Sequence, residues 1–192
     1  MHIPVLLNNV IEGLDIQSGD TIVDGTLGYG GHTEKILEKL NRTGRLIGVD
    51  QDPAAVAYCQ KSLHAHQNVS IHQLNYSDLP ILLKQLGINQ VQKIVLDLGI
   101  SSVQLDQSNR GFTYLKDEPL DMRMNINVDR SADQVLNQYD KERLSDIFKE
   151  YGDIKFPDKL VENIVSNRPF RTTKDLIEVI KKSFYFHQSR RR

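Results

Sequence analysis

A glycine-rich segment between two aspartates has the residue types of a cofactor site. Asp24 opens the segment DGTLGYGGHT, and Asp50 closes RLIGVD, 20 residues after Gly30. Glycines let a ligand approach the backbone closely, and a carboxylate at this distance can accept hydrogen bonds from ribose hydroxyls. A tight turn and a surface aspartate would explain either feature alone. Because both occur in the order strand, loop, helix, strand and acid, the pattern predicts a ribose-bearing cofactor.

The spacing of the glycines bears on which cofactor binds. The dinucleotide pattern G-x-G-x-x-G, read from Gly28, finds Gly30 but meets Thr33 at its third position. This disfavours a nicotinamide-dependent or nucleotide-sugar enzyme. Asp24 also disfavours a pyrophosphate, because an acid at this position repels phosphate. A cofactor that lacks phosphate and carries a positive sulfonium and ammonium would tolerate the acid. The segment therefore favours S-adenosylmethionine and methyl transfer.

Further candidate side chains follow the next two predicted strands. Tyr76 could pack on an adenine ring or be a half-buried core tyrosine. Asp97 is predicted to be a buried carboxylate at the carboxyl end of an apolar strand, where a function is favoured over a structural role. Ser101, Ser102 and Gln104 follow in the next loop, and residues of these types are common in loops that have no special function.

Strands and helices alternate four times in the first half of the chain, which predicts a parallel sheet covered by helices on both faces. The predicted strands are 21–26, 45–50, 69–74 and 92–101. The predicted helices are 5–12, 33–40, 54–63 and 79–86, with Pro53 in the first turn of the third.

The second half of the chain has helical patterns only, after a polar, loop-like stretch over 103–130. Ser131 with Gln134, and Thr172 with Asp175, are capping signals for the first and last of these helices. The segments KERLSDIFKEYG and DKLVENIVSN lie between them and have apolar residues at helical spacing. The predicted organisation is an α/β cofactor domain at 1–105 and a loop and helical domain at 106–192.

Composition excludes several classes of protein. The net charge of −1 provides no global attraction for nucleic acid, although a local basic patch would suffice. The single cysteine, Cys59, excludes an internal disulfide framework and a cysteine-rich zinc site, and no metal site is predicted. The N-terminal segment lacks the basic flank of a signal peptide and the apolar length of a membrane span, so a cytoplasmic location is expected.

Five segments carry a resemblance to a known family: GTLGYGGHT, GVDQDP, VLDLGISSVQLD, RGF and PLDMRM, in this order. With them the chain resembles the bacterial ribosomal RNA small subunit methyltransferase H family, also called MraW. The likeness runs from His2 to about Phe184. It implies a Rossmann-like class I methyltransferase sheet with a helical insertion, S-adenosylmethionine as cofactor, and methylation of the N4 amine of a cytosine in the 16S RNA of the small ribosomal subunit.

The resemblance also implies site residues. Without it, His32 would be interpreted as a surface residue. Val103 and Glu118 depart from the family pattern, which commonly has proline and glycine at these two positions. The implied cofactor-binding positions are Gly30, Gly31, His32, Asp50, Tyr76, Asp97 and Gln104.

Methyl transfer from S-adenosylmethionine is an in-line displacement that depends on alignment. The N4 amine of cytosine is weakly nucleophilic, so an acceptor for its proton would help, and Asp97 or the LGISS loop could supply one. Cys59 falls in the middle of a predicted helix without an activating partner, so covalent catalysis is not expected. The candidates for contacts with the substrate RNA are Ser101, Ser102, Arg110 and Arg123.

Members of the resembled family are longer and return from the insertion to finish the sheet. A sheet that ends at its fourth strand leaves an apolar edge, which a second copy of the chain could cover. The alternative to an active methyltransferase is a shortened, catalytically inactive relic of the family that binds S-adenosylmethionine or RNA.

Overall fold

The computed structural model describes residues 6–188, with side chains described as far as Phe184. Residue 5 of the predicted first helix lies outside this range. The described chain forms two compact units. The first comprises the chain up to Gly99 together with Met124–Ile126, and the second comprises Ile100–Arg123 and the chain from Asn127 onward. None of the described helices has the length and apolar character needed to span a membrane.

The first unit is a parallel α/β structure. Its elements are α1 (Leu7–Gly13), β1 (Thr21–Asp24), α2 (Gly31–Leu40), β2 (Arg45–Asp50), α3 (Pro53–Ser62), β3 (Val69–Gln73), a 3-10 turn (Tyr76–Asp78), α4 (Leu79–Gln85) and β4 (Lys93–Val95). The strands form a parallel sheet in the order β3-β2-β1-β4. The strand order reverses at β1, which places a crevice at the carboxyl ends of β1 and β4. The sheet confirms the predicted α/β fold class.

Successive residues of the central strands β1 and β2 point to opposite faces of the sheet, and both faces are buried. Ile22 and Leu46 pack in one apolar cluster with residues of α2. Val23 and Ile47 pack in another cluster with residues of α4. Burying each such side chain contributes roughly 1.5–3 kcal/mol. This two-sided burial is why the two strands have almost continuous apolar sequences.

The last strand, β4, is much shorter than the predicted strand over 92–101. It pairs with β1, whose final residue Asp24 lies opposite Val95. Among the described residues no strand pairs with the other side of β4. The backbone after Val95 therefore has no neighbouring strand on that side with which to form hydrogen bonds. Leu96 and Leu98 are accordingly exposed rather than buried. The prediction is therefore wrong beyond Val95.

The second unit is helical. Its helices are α5 (Ser102–Gln107), α6 (Ala132–Gln138), α7 (Lys141–Glu150), α8 (Asp158–Ser166) and α9 (Thr173–Gln188). Leu144, Ile164 and Phe170 are at most 1% exposed and belong to one apolar core. Glu118, which departs from the resembled family, is buried here, and its Oε2 accepts a hydrogen bond from the N–H of Gly111 at 2.9 Å. The departure is thus accommodated by a specific hydrogen bond.

Both predicted capping signals are confirmed. Gln134 Oε1 accepts a hydrogen bond from the N–H of Ser131 at 3.2 Å, within a capping box that begins α6. Asp175 Oδ2 accepts one from the N–H of Thr172 at 3.0 Å, in the first turn of α9. These side chains satisfy backbone donors that a helix leaves unpaired at its start.

Candidate cofactor site

The glycine-rich segment joins β1 to α2 at the carboxyl end of the sheet. Gly28 and Gly30 have φ angles of +50° and +84°, a region that other residues rarely adopt. The path of the chain therefore favours glycine at these two positions, whichever ligand binds. Gly31 is the first residue of α2, so the helix begins two residues earlier than predicted.

Asp50, the last residue of β2, holds this segment in place. One carboxylate oxygen accepts a hydrogen bond from the N–H of Gly28 at 2.8 Å, and the other accepts one from the N–H of Asp52 at 2.8 Å. Burial raises the pKa of Asp50, and the backbone donors only partly offset that effect. Because each carboxylate oxygen can accept a second hydrogen bond, Asp50 retains acceptor capacity for a ribose hydroxyl.

Asp24, the last residue of β1, is 1% exposed. Its Oδ2 accepts a hydrogen bond from the hydroxyl of Thr33 at 2.7 Å, and its Oδ1 accepts one from the N–H of Thr26 at 3.2 Å. Burial raises the pKa of this carboxyl, and the nearby charge of Asp50 raises it further. Asp24 therefore links β1 to the first turn of α2 and adds a second acidic group to the site.

A cavity of about 390 Å³ lies in the first unit between α1, the start of α2 and the end of β4. His32 lines it, is 7% exposed, and has no hydrogen-bond partner for Nε2 among the described residues. The interpretation of His32 as a surface residue is wrong, because α2 begins early enough to include this residue and bury it. A buried nitrogen without a partner is a place where a polar ligand group can bind.

Asp97 lines the same cavity, but its side chain is exposed. The prediction of a buried carboxylate is wrong because β4 ends two residues earlier and the following backbone is no longer part of the sheet. The N–H of Asp97 donates a hydrogen bond to Thr26 Oγ1 at 2.7 Å, which fixes Asp97 beside the glycine-rich segment. Its carboxylate is therefore accessible to a ligand or a substrate.

Tyr76 lies in the 3-10 turn that follows β3 and is 42% exposed. Its Cβ is 3.5 Å from the position that a β-carbon on Gly25 would occupy. Both interpretations made from the sequence, packing on an adenine ring and a half-buried tyrosine, stay open at this exposure. Tyr76 flanks the glycine-rich segment at the end of the sheet that carries Asp50.

Three of the candidate residues begin α5 in the second unit. Gln104 Oε1 accepts a hydrogen bond from the N–H of Ser101 at 2.9 Å, and Ser101 Oγ accepts one from the N–H of Gln104 at 3.1 Å. Ser102 is the first residue of the helix. The S-x-x-Q pattern is a capping box that the sequence analysis missed although the signal was present. The cofactor and substrate roles of these residues stay predictions.

The two candidate arginines of the second unit hold a loop together. Arg123 Nε and Nη2 donate hydrogen bonds to the two carboxylate oxygens of Asp121 at 2.8 and 2.7 Å. Arg123 Nη1 also donates to Val128 O at 2.8 Å, and Arg110 Nη1 donates to Arg123 O at 2.9 Å. The guanidinium of Arg123 holds the pKa of Asp121 below its ordinary value. A role for both arginines in RNA binding stays a prediction.

Sequence reasoning missed two contacts around the site. Cys59 Sγ donates a hydrogen bond to Gly28 O at 3.4 Å, and burial raises the pKa of the thiol to about 12. Cys59 is therefore protonated at neutral pH and supports the glycine-rich segment instead of acting as a nucleophile. Gln51 Nε2, next to Asp50, donates to Met124 Sδ at 3.2 Å. No spacing rule predicts contacts between residues so far apart in sequence.

The described residues fit a cationic cofactor without phosphate. Asp50 offers hydrogen-bond acceptors, Asp24 is a second carboxyl close to it, and His32 has a ring nitrogen without a partner among the described residues. Among the described residues that line the cavity there is no lysine or arginine to neutralise a pyrophosphate. This charge distribution favours a sulfonium and an ammonium group over phosphates.

The parallel sheet with its reversal at β1, the glycine-rich segment after β1 and the acid at the end of β2 define a Rossmann-like α/β protein that binds a ribose-bearing cofactor. Within that class, the chain belongs to the MraW methylase family, whose family model matches residues 1–192. Membership of this methylase family implies S-adenosylmethionine as the cofactor.

Curated relatives carry the name ribosomal RNA small subunit methyltransferase H. The one from Clostridium botulinum (strain Loch Maree / Type A3) is 45% identical over 185 residues, which cover 95% of this chain and 60% of the relative. The one from Thermosipho melanesiensis is 45% identical over 191 residues, which cover 100% of this chain and 65% of the relative. The chain thus spans 60–65% of the length of these relatives. A crystal structure described as a putative rRNA-methylase from Clostridium thermocellum is 23% identical, with a TM-score of 0.37, and the match covers 42% of this chain and 46% of that one.

Proposed function

We propose that this chain carries the cofactor site of an S-adenosylmethionine-dependent methyltransferase that methylates the N4 amine of a cytosine in 16S ribosomal RNA. One arrangement supports the proposal above others. Asp50 is hydrogen-bonded to the glycine-rich segment at the carboxyl end of the sheet, and His32 and Asp97 line a cavity in the same unit. The names of the curated relatives support the small ribosomal subunit as the source of the RNA.

Asp50 is proposed to hold the ribose hydroxyls, because it keeps acceptor capacity and lies at the end of β2. The methionine end of the cofactor would lie against the backbone of Gly28–Gly31, next to His32, whose Nε2 has no partner within the part of the chain that the structure describes. Tyr76 is exposed beside Gly25 and could pack on the adenine. The remaining proposed cofactor contacts are Asp97 and Gln104.

The bound cofactor supplies a methyl group on a positive sulfur. The lone pair of cytosine N4 is delocalised into the ring, so the amine needs an acceptor for one of its N–H groups. Asp97 is proposed to accept that hydrogen bond, because its carboxylate is exposed in the cavity. As the N–C bond forms and the S–C bond breaks, the N4 proton would pass to Asp97 or to water.

The second unit is proposed to contact the RNA, with Ser101, Ser102, Arg110 and Arg123 as the candidates. The target cytosine has to reach a recessed methyl group, so we expect it to be unstacked from its neighbours. The small ribosomal subunit is the proposed partner. Pairing of two copies through the free edge of β4 and a cytoplasmic location stay predictions.

A second candidate function is a protein that binds the cofactor or RNA without catalysis. The observation that supports this candidate is that the chain matches only 60–65% of the length of the curated relatives. This candidate is not favoured, because the acids and the glycine-rich segment are all present. Asp50 accepts a hydrogen bond from the N–H of Gly28, and Asp24 accepts one from the hydroxyl of Thr33.

Nucleoside analysis would test the proposal. Small ribosomal subunits are incubated with the protein and methyl-labelled S-adenosylmethionine, and the digested RNA is examined by mass spectrometry. We expect N4-methylcytidine, and an Asp97→Asn variant about 100-fold slower or more, because removing a proton acceptor typically costs this much. The cofactor is kept saturating, since Asp97 is also proposed to contact it. Asp78→Asn, which changes an exposed acid in the same unit, is the matched control.

Two outcomes would contradict the proposal. Label in a different nucleoside would reject the N4 assignment. Tight cofactor binding by the wild type without any transfer would support the non-catalytic candidate instead.

A further inference from the structure

In the second unit, α8 and α9 form the walls of an open groove of about 360 Å³. We propose that this groove binds consecutive phosphates of the RNA backbone. The inference rests on the proposed function, because an RNA substrate is proposed there. The described lining residues are Lys159, Asn163, Asn167, Val179 and Lys182.

Four of the five described lining residues are polar, and those on α8 form a stripe along the groove. Lys159, Asn163 and Asn167 are four residues apart, so they lie on one face of α8 and its C-terminal cap. The eight residues from the first to the last correspond to about 12 Å at 1.5 Å per residue. On α9, Val179 and Lys182 are three residues apart and also share a face. A stripe of this length suits an extended chain of phosphates better than one small anion.

One hydrogen bond between the two helices and two hydrogen bonds within them hold the walls of the groove. Asn163 Nδ2 donates to Ser183 Oγ at 2.8 Å, and the buried Ser183 hydroxyl donates in turn to Val179 O at 2.8 Å. Asn167 Nδ2 donates to Asn163 O at 2.8 Å. Each of these amide nitrogens carries two N–H groups and uses one of them here. Walls fixed in this way lose little conformational freedom when a ligand binds.

The charge of the groove points to an anion. Its charged lining residues, among those the structure describes, are two lysines, and no aspartate or glutamate lines it. Lysines and amide side chains are also common donors to nucleic-acid phosphates.

The distribution of charge along the chain agrees with this assignment. Of the 24 lysines and arginines 17 follow Gly99, and of the 25 acidic residues 15 do. The three arginines at positions 190–192 supply the whole excess of positive charge in the second unit, which is otherwise close to neutral, whereas the first unit is negative. The net charge of −1 for the whole chain conceals this difference, so it does not argue against RNA binding.

Three alanine variants of the full chain test the proposal. Lys159→Ala and Lys182→Ala remove the two charges that line the groove. Lys181→Ala is the matched control, since Lys181 is also an exposed lysine of α9 but lies about 100° around the helix and does not line the groove. Binding to a fluorescent fragment of 16S RNA is measured by anisotropy at several salt concentrations.

We expect each groove variant to bind the RNA several-fold more weakly at low salt, while Lys181→Ala matches the wild type. The slope of log affinity against log salt should fall by about one for each lysine removed. The difference from wild type should therefore narrow about threefold between 50 and 200 mM salt. Lys182→Arg, which keeps the charge, should bind like the wild type.

Three results would overturn the inference. Unchanged RNA binding by both groove variants would remove the groove from the interface. If Lys181→Ala and Lys182→Ala lose equal amounts of affinity for the RNA, the lysines act only through long-range electrostatic attraction and not through contacts in the groove. Inorganic phosphate that, at constant ionic strength, binds the wild type but not Lys182→Ala, without displacing RNA from the wild type, would reassign the groove to a small anion.

The same samples separate this inference from the proposed function. Titration of S-adenosylmethionine should give the same affinity for every lysine variant, because none of these lysines is a proposed cofactor contact. RNA binding that depends on the groove, without formation of N4-methylcytidine, would support the groove and reject the proposed reaction. If all variants form N4-methylcytidine equally and bind RNA like the wild type, the proposed reaction would be supported and the groove would be rejected as an RNA site.

Discussion

Asp50 in the first unit and Asp121 in the second unit both fix a loop by accepting hydrogen bonds from backbone N–H groups. Asp50 accepts them from Gly28 and Asp52, and Asp121 accepts one from Arg123 at 2.9 Å. The difference is the neighbouring charge. Asp121 is paired with the Arg123 guanidinium, whereas no ion pair to Asp50 occurs among the described residues. The pKa of Asp50 is raised by burial, and that of Asp121 is lowered mainly by the arginine.

The comparison separates a structural carboxylate from one that is suited to a ligand. The charge of Asp121 is already compensated within the protein, so a ligand has little to add there. Asp50 has no ion-pair partner among the described residues, and it lies close enough to the buried Asp24 for its charge to raise the pKa of that second carboxyl. A cationic cofactor would compensate the charge of Asp50, so we predict that the first loop binds a ligand, whereas the pair of Asp121 and Arg123 stabilises the second loop.

The largest expected effect is on cofactor binding when Asp50 is changed. In Asp50→Asn, an amide replaces a carboxylate whose two oxygens both accept backbone N–H groups, so a donor faces a donor and the charge is lost. Hydrogen bonds to charged groups contribute about 1.5–3 kcal/mol, so the affinity for S-adenosylmethionine should fall roughly 10- to 100-fold. Calorimetric titration measures it, with Asp78→Asn as control. An affinity within about twofold of the wild type, or roughly 0.4 kcal/mol, would exclude Asp50 from the site.

A smaller effect, on stability alone, is expected for Asp121→Asn. The amide oxygen can still accept the backbone N–H of Arg123, but the ion pair with the guanidinium is lost. Because both side chains are about a quarter exposed, the free energy of unfolding should fall by only about 1 kcal/mol. Denaturant unfolding measures this, with the exposed Asp106→Asn as control. If Asp121→Asn lost as much cofactor affinity as Asp50→Asn, the distinction between a structural Asp121 and a ligand-binding Asp50 would be wrong.

The smallest expected effect is the dependence of cofactor affinity on pH. The pKa of Asp50 lies above its ordinary value of 3.8, so the carboxylate is protonated earlier than usual on acidification. The affinity for the cationic cofactor should therefore fall several-fold as the pH drops toward that pKa, and calorimetry at successive pH values measures it. Asp50→Asn should lack this dependence. A variant with the same pH profile as the wild type would assign the effect to another group.

The two carboxyls should affect folding stability in opposite directions. A raised pKa means that the stability contributed by Asp50 is present below 3.8 and is lost as the pH rises through the folded-state value. A lowered pKa means that the contribution of Asp121 is present above 3.8 and is lost as the pH falls through the folded-state value.

The central part of the fold could be predicted from the sequence, and its edge could not. Strands β1 and β2 are paired on both sides and buried on both faces, so their apolar sequences carry the whole signal. Strand β4 has an equally apolar sequence, but its length depends on how far the neighbouring strand extends. Sequence patterns record burial and not the presence of a neighbour, which is why the strand predicted over 92–101 was too long.

The candidate site divides in a similar way. Asp24 and Asp50 were identifiable because their positions follow from the strands that precede them. The burial of His32 depends on the residue at which α2 begins, and the contact between Gln51 and Met124 joins positions 73 residues apart. Such contacts arise from tertiary packing, so no local pattern indicates them.

Glu118 and Thr173 have a consequence for how this chain could change over evolutionary time. The N–H of Thr173 donates to Glu118 O at 2.9 Å, and the N–H of Glu118 donates to Thr173 Oγ1 at 3.1 Å, across 55 positions of sequence. Next to them, the N–H of Leu120 donates to Arg171 O at 3.0 Å. The two ends of the segment between Leu120 and Arg171 are thus held next to each other by these hydrogen bonds. A segment whose ends are joined in this way can be lengthened or shortened in its exposed loops without separating those ends, whereas its helices share a core with α9 and have to change together with it.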